Sequence, residues 1–75
     1  MDMMKETTIA DINHNIAKAR KKHPKFAFST AQVVSIATEE LGEFAQAIND
    51  GDLKAAALEA RDLIAVLVRF LERDE

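Results

Sequence analysis

Three carboxylates crowd into the five residues Glu-Glu-Leu-Gly-Glu at 39–43. Glu39 and Glu43 stand four apart, so on a helix they are neighbours, and like charges at that spacing cost about 0.2–0.5 kcal/mol. Glu40 and Glu43 are three apart, and Glu59 and Asp62 repeat that spacing further along. At about 100° per residue, Glu40 falls about 40° from Phe44, at the margin of an apolar stripe, and Glu43 about 60° from Glu40 on the same side. Leu63 and Ile64 follow Asp62 directly, so the second pair also borders apolar surface. Presented by two antiparallel helices, four carboxylates would meet at the edge of a core, where they cannot all stay ionised and unpaired. Either some of them protonate, or cations enter, unless Arg61, Arg69 and the lysines already pair with them as surface ion pairs of little energetic value. Hard oxygen ligands suit Mg²⁺, with Mn²⁺ as the alternative. His14 and His23 are not at Glu-x-x-His spacing from these acids, which argues against a di-iron bundle site.

The second chemical feature is a basic segment, Lys18, Arg20, Lys21, Lys22 and Lys25, in a chain of net charge −3. A negatively charged substrate could be steered by one or two of these side chains, Lys18 and Lys22 among them. Arg69, seven residues after Asp62, shares its helix face two turns on and could reach a phosphate or pair with a carboxylate. Asn13, His14 and Asn15 could read a base from the first helix, or simply form a solvated polar face. Phe26 and Phe28 read as core and staple rather than as a stacking platform. A non-catalytic helical module gripping nucleic acid through residues 18–25 is the reading from a different class. Against it, the cluster is short, has no interleaved aromatics and has no helix-turn-helix signature. A calcium loop at "INDGD" is excluded, because Ile48 stands where an oxygen ligand is needed.

Three helices must position these groups. Thr8, with Asp11 three residues on, can cap the first, in which Ile9, Ile12, Ile16 and Ala19 recur at helical spacing. Pro24 ends it. Ser29 with Gln32 forms a capping box for the second helix, and Phe28 with Val33 a hydrophobic staple. Val34, Ala37, Leu41, Phe44 and Ile48 give that helix an apolar stripe. Gly51 is a natural C′ residue and Asp52 a natural N-cap for the third helix, so a short connection makes helices two and three antiparallel neighbours. The expected fold is all-α, an antiparallel bundle of about three helices in one domain, 1–75, with residues 1–6 as a tail.

From 63 to 71 only Arg69 is polar. A helix apolar all round must be covered all round, and 75 residues bury only about 60% of the surface their unfolded chain exposes. With no cysteine to staple it, the bundle is expected to be completed by oligomerisation, with Val66 and Phe70 or their neighbours at the interface. No apolar run is long enough to span a membrane and none reads as a signal peptide, so a cytoplasmic protein is expected.

The pattern Glu-Glu-x-x-Glu, then about fifteen residues, then Glu-x-x-Asp resembles that of the MazG-like all-α nucleoside triphosphate pyrophosphohydrolases. This chain carries it as "EELGE" at 39–43 and "EARD" at 59–62, followed by "LIAVLVRFL". The resemblance spans residues 29–71. It implies a Mg²⁺-dependent enzyme that cleaves the α–β phosphoanhydride of a nucleoside triphosphate, giving a nucleoside monophosphate and pyrophosphate. It implies that Glu40, Glu43, Glu59 and Asp62 hold the metal and that Glu39 orients or deprotonates the attacking water. It also implies a homodimer or dimer of dimers. Phosphoribosyl-ATP pyrophosphatase shares this carboxylate logic and is the neighbouring enzymatic alternative. Many relatives continue into a further helix that grips substrate. Phosphate contacts are therefore expected here from Arg69, Lys18 and Lys22.

Overall fold

A computed structural model describes residues 4–26 and 29–73. It contains three helices and, among the described residues, no strand: α1 (Glu6–Lys22), α2 (Thr30–Asn49) and α3 (Leu53–Leu71). The all-α expectation holds at that level.

The helix boundaries follow from local chemistry. α1 begins before Thr8, at Glu6. Lys5 takes the cap position with extended backbone and no side-chain bond, and its carbonyl accepts from Ile9 N–H at 3.0 Å. The extra turn brings Glu6 to the positive end of the helix dipole, which outweighs the weaker signal of a threonine cap. α1 ends at Lys22, with His23 as its C-cap directly before Pro24. At α2, the Ser29 hydroxyl accepts from Gln32 N–H at 3.2 Å, as the capping box requires. The Phe28 half of the staple lies outside the described residues.

The α2–α3 turn is built as a Schellman motif running straight into an N-cap. Gly51 N–H donates to the Ile48 carbonyl at 3.1 Å, and Asp52 N–H to the Ala47 carbonyl at 3.0 Å. Gly51 takes φ +73°, the left-handed conformation this motif needs. Asp52 then accepts from Ala55 N–H at 3.0 Å and starts α3. Two helix ends are thus satisfied within a few residues, and α3 folds back along α2.

α3 is the centre of the molecule. It packs against α2 along much of its length and against α1 on another side, while the α1 and α2 backbones do not approach one another within 8 Å. The resulting core is thin: among the described residues, Ile16, Ala47, Ala56 and Ala65 are the buried apolar ones, and no large side chain is fully buried. The radius of gyration is 13.1 Å, against about 11 Å expected for a compact chain of this length.

The expected α2 stripe divides. Ala37 and Phe44 are half-buried, and with Val33, Ile36, Glu40 and Ala47 they form the less exposed side of α2. Val34, Leu41 and Ile48 are exposed on another face. Spacing alone had merged two faces about 100° apart. On α3, Val66 and Phe70 are half-buried, whereas Leu53, Leu58, Leu67 and Leu71 are exposed.

Gly51→Ala tests the turn. An added Cβ meets no atom within 4 Å, so the cost is the left-handed backbone alone, about 1 kcal/mol. A thermal melt followed by circular dichroism is expected to show that loss with helicity retained, and an unchanged midpoint would contradict this account of the turn.

Candidate metal centre

α2 and α3 bring the expected acids together where they pack. Glu40, Glu43 and Glu59 each offer a carboxylate oxygen, and these lie within 4.8 Å of one another. Octahedral Mg²⁺ sets trans oxygens about 4.2 Å apart, so the triad is at most slightly wider than one ion's ligand shell. Glu40 and Glu59 are half-buried and Glu43 is exposed. The Oε2 atoms of both Glu40 and Glu59 are buried without a hydrogen-bond partner. A buried, partnerless carboxylate oxygen is costly unless a proton or a cation meets it.

The electrostatics agree. Burial pushes the Glu40 carboxyl up to about 7, and the charges of Glu43, Asp62, Glu59 and Glu39 add to it. Glu59 is raised as well, first by a hydrogen bond shared with Glu43, then by burial and the charges of Glu43 and Asp62. Among the described residues, no lysine or arginine nitrogen comes within 4.0 Å of these carboxylates. Arg61 instead pairs with Asp11 at 3.5 Å, and Arg20 with Glu72.

Asp62 stands beside the triad, close enough to raise Glu40. Its Oδ1 accepts a hydrogen bond at 2.9 Å from Nδ2 of Asn15, which reaches over from α1. The sequence reading set Asn15 among possible base readers and missed this role. A faint signal was present, since Asn15 lies three residues after Ile12 and four before Ala19, within the apolar face of α1. Glu39 is exposed next to the triad.

Arg69 is engaged elsewhere. Nη2 donates to the His23 carbonyl at 2.6 Å and Nη1 to the Ala19 carbonyl at 3.5 Å, while the guanidinium lies 5.3 Å from the centre of the Phe26 ring. It closes the C-terminal end of α1, where unpaired carbonyls and the helix dipole favour a cation, and so ties α1 to α3.

An open cleft of about 550 Å³ links these groups. Glu40 and Asp62 line it, as do Lys18, Lys22, Lys25 and Arg69, together with Phe26 and Val66. All three expected phosphate contacts, Arg69, Lys18 and Lys22, therefore border the same space as two of the expected metal ligands. Among the described residues, no helix is long and apolar enough to cross a membrane. Comparison with family models, curated proteins and solved structures finds no match.

The raised carboxyls set the pH dependence of the metal-free protein. Glu40 moves from 4.5 to about 7 on folding, so between those values the folded state holds more protons than the unfolded state. Its stabilisation is complete below about pH 4.5 and is lost as the pH rises through 7, on the order of 2 kcal/mol after allowing for partial solvent access. In a chelator, the melting temperature is expected to fall from pH 5 to pH 8. Glu40→Gln is expected to flatten that slope and to exceed wild type at pH 8. A melting temperature that rises over this range would show the carboxylates to be paired.

Proposed function

We propose that the protein is a Mg²⁺-dependent nucleoside triphosphate pyrophosphohydrolase, cleaving between the α- and β-phosphates. One observation carries this reading: Glu40, whose buried Oε2 has no partner, and Asp62 share a nucleotide-sized cleft with Lys18, Lys22, Lys25 and Arg69. The residues fit the metal, since the donor set is all hard oxygen and two of its oxygens have no protein partner. Glu40, Glu43, Glu59 and Asp62 would hold it, and when bound it would withdraw charge from the phosphate oxygens.

The chain's own residues divide the remaining work. Asn15 fixes the Asp62 carboxylate by donating to Oδ1, which leaves Oδ2 for a ligand role. Lys18, Lys22 and Lys25 line the cleft and meet the negative charge of the triphosphate, so the far end of the substrate lies toward the C-terminus of α1. Arg69 holds that end of α1 in place through Ala19 and His23. Its contribution to the phosphates is thus chiefly through the cleft wall. Glu39, exposed beside the ligands, accepts the proton of the attacking water. The water oxygen bonds to phosphorus, the bridging P–O bond breaks, and pyrophosphate leaves. Hydrolysis of a phosphoanhydride demands little more than positioned charge and a positioned water.

The same placement weighs against nucleic acid as the ligand. Lys18, Lys22 and Lys25 share their cleft with Glu40 and Asp62, which would repel a continuous phosphate backbone, and Arg20 is bound to Glu72.

Pyrophosphate release from nucleoside triphosphates, with and without Mg²⁺, is the test. Glu40→Gln, Glu43→Gln, Glu59→Gln and Asp62→Asn are each expected to keep full helicity and lose at least about 100-fold in turnover. Glu39→Gln is expected to lose turnover while retaining the metal-dependent shift in melting temperature. Lys18→Ala with Lys22→Ala is expected to raise KM and weaken its salt dependence with kcat nearly unchanged. Wild type without metal-dependent pyrophosphate release would refute the assignment.

A further inference from the structure

A second open cavity, of about 770 Å³, lies where the C-terminal ends of α1 and α3 meet the start of α2. Its charge is opposite to that of the acid cluster. Arg20, Lys25, Arg69 and Arg73 line it, with Glu72 as the one acid among the described residues there, in a chain whose net charge is −3. Four cations around one space raise its positive potential, and apolar walls concentrate the field. Phe26 and Phe70 supply part of those walls, and each has an arginine over its ring. The Arg69 guanidinium stands 5.3 Å from the centre of Phe26, and that of Arg73 stands 3.9 Å from the centre of Phe70. Stacking of this kind holds a guanidinium in place. Arg73 is held further by donating to the Phe70 carbonyl at 2.7 Å. Glu72 offsets one of the four charges through its pair with Arg20. Among the described residues, Lys25 has no ion-pair partner. α2 begins at the same cavity, where Ser29 and Thr30 line it. The first N–H groups of a helix have no partner within it and carry the positive end of its dipole.

The arrangement of the donors indicates the anion. They converge from three helices and the linker between α1 and α2. One guanidinium already occupies two oxygens of a phosphate when it binds bidentately, so an orthophosphate would leave most of these donors unused. A diphosphate group engages several of them at once. The cavity is also distinct from the acidic cleft. Thr30 lies ten residues before Glu40, about 15 Å along α2, which is farther than two P–O–P bridges extend from an α-phosphate held at the acids. Arg20, Thr30 and Arg73 border the basic cavity and not the acidic cleft, while Lys25, Phe26 and Arg69 border both.

We propose that this cavity is a second, metal-independent binding site for a diphosphate group, with Arg20, Lys25, Arg69 and Arg73 as its cations. Neither the metal nor the carboxylates of the catalytic reading are needed, so the site stands or falls independently of that reading. The diphosphate group comes either as free pyrophosphate or as the tail of a nucleotide. Arg69 links the site to the cleft. Its guanidinium holds the Ala19 and His23 carbonyls at the end of α1, and an anion that draws it away loosens the wall that carries Lys18 and Lys22.

Calorimetric titration of the full chain with pyrophosphate at pH 8 in a chelator provides the test, because the ionised acidic cleft then repels anions. Saturable binding is expected. Arg20→Gln and Arg73→Gln are each expected to weaken it about tenfold, as for the loss of one charge-assisted hydrogen bond. Glu72→Gln is expected to tighten it several-fold. A variant carrying both Lys18→Ala and Lys22→Ala, two changes that border the acidic cleft and not the basic cavity, is expected to bind as wild type does. Orthophosphate is expected to bind at least about tenfold more weakly than pyrophosphate. A nucleoside diphosphate distinguishes the two sources: an affinity above that of pyrophosphate identifies a nucleotide as the ligand, and an equal or lower one identifies free pyrophosphate. Circular dichroism checks folding, and should the arginine variants unfold, the Glu72→Gln result decides. Absence of saturable pyrophosphate binding would overturn the inference. So would arginine variants that bind normally, a Glu72→Gln variant that binds no more tightly, equal affinity for orthophosphate, or loss of binding in the lysine variant, which would place the anion in the acidic cleft.

Discussion

Like charges held at a helix–helix contact are the constraint from which much of this molecule follows. Glu40 and Glu59 belong to the two helices that pack most closely, and each keeps one oxygen out of water without a partner. Leucine or alanine at these positions would make the contact stable at any pH. The acids instead leave the α2–α3 packing dependent on protons or a cation. Nearby basic groups do not relieve the repulsion: Arg61 is committed to Asp11, and Arg69 to the carbonyls of α1. The arrangement is poor economy for a purely structural surface and suits a site that must gather positive charge.

α3 carries the consequences of that choice. One part of its circumference supplies Glu59 and Asp62, another supports α1 through Ala65 and Arg69, and a third presents Leu53, Leu67 and Leu71 to solvent. The tight turn at Gly51 and Asp52 fixes how α2 and α3 meet, and therefore where both the acids and the exposed leucines point. α1 contributes few backbone contacts but closes the cleft, which Asn15, Lys18 and Lys22 line. In a chain this small each helix must serve both folding and the cleft, because too little surface exists to separate them.

Features written in local chemistry were legible in the sequence. Pro24 as a stop, Ser29 as a cap and the Gly51–Asp52 turn each depend on a few adjacent residues, and each was read correctly. The convergence of Glu40, Glu43 and Glu59 was legible for the same reason, since two spacings and one short turn suffice to place them. The helix-two stripe failed because a seven-residue repeat fits a buried face and an exposed one equally well. Val34, Leu41 and Ile48 share that period with each other, and nothing in it says which face meets the rest of the chain. Thr8 yielded to a start at Glu6 because a helix with no side-chain cap gives little local signal for its first residue. The Asn15–Asp62 hydrogen bond and the Arg69 clamp join residues 46 to 50 positions apart and depend on how α1 lies across α3, which no local pattern encodes.

Calorimetric titration with Mg²⁺ and Mn²⁺ at pH 8, where Glu40 is largely ionised, tests the central claim that a divalent cation answers this cluster of carboxylates. The account expects saturable binding that is lost in Glu40→Gln and Glu59→Gln and kept in Glu39→Gln. Wild type that binds neither ion, or binding that survives the loss of both Glu40 and Glu59, would contradict it.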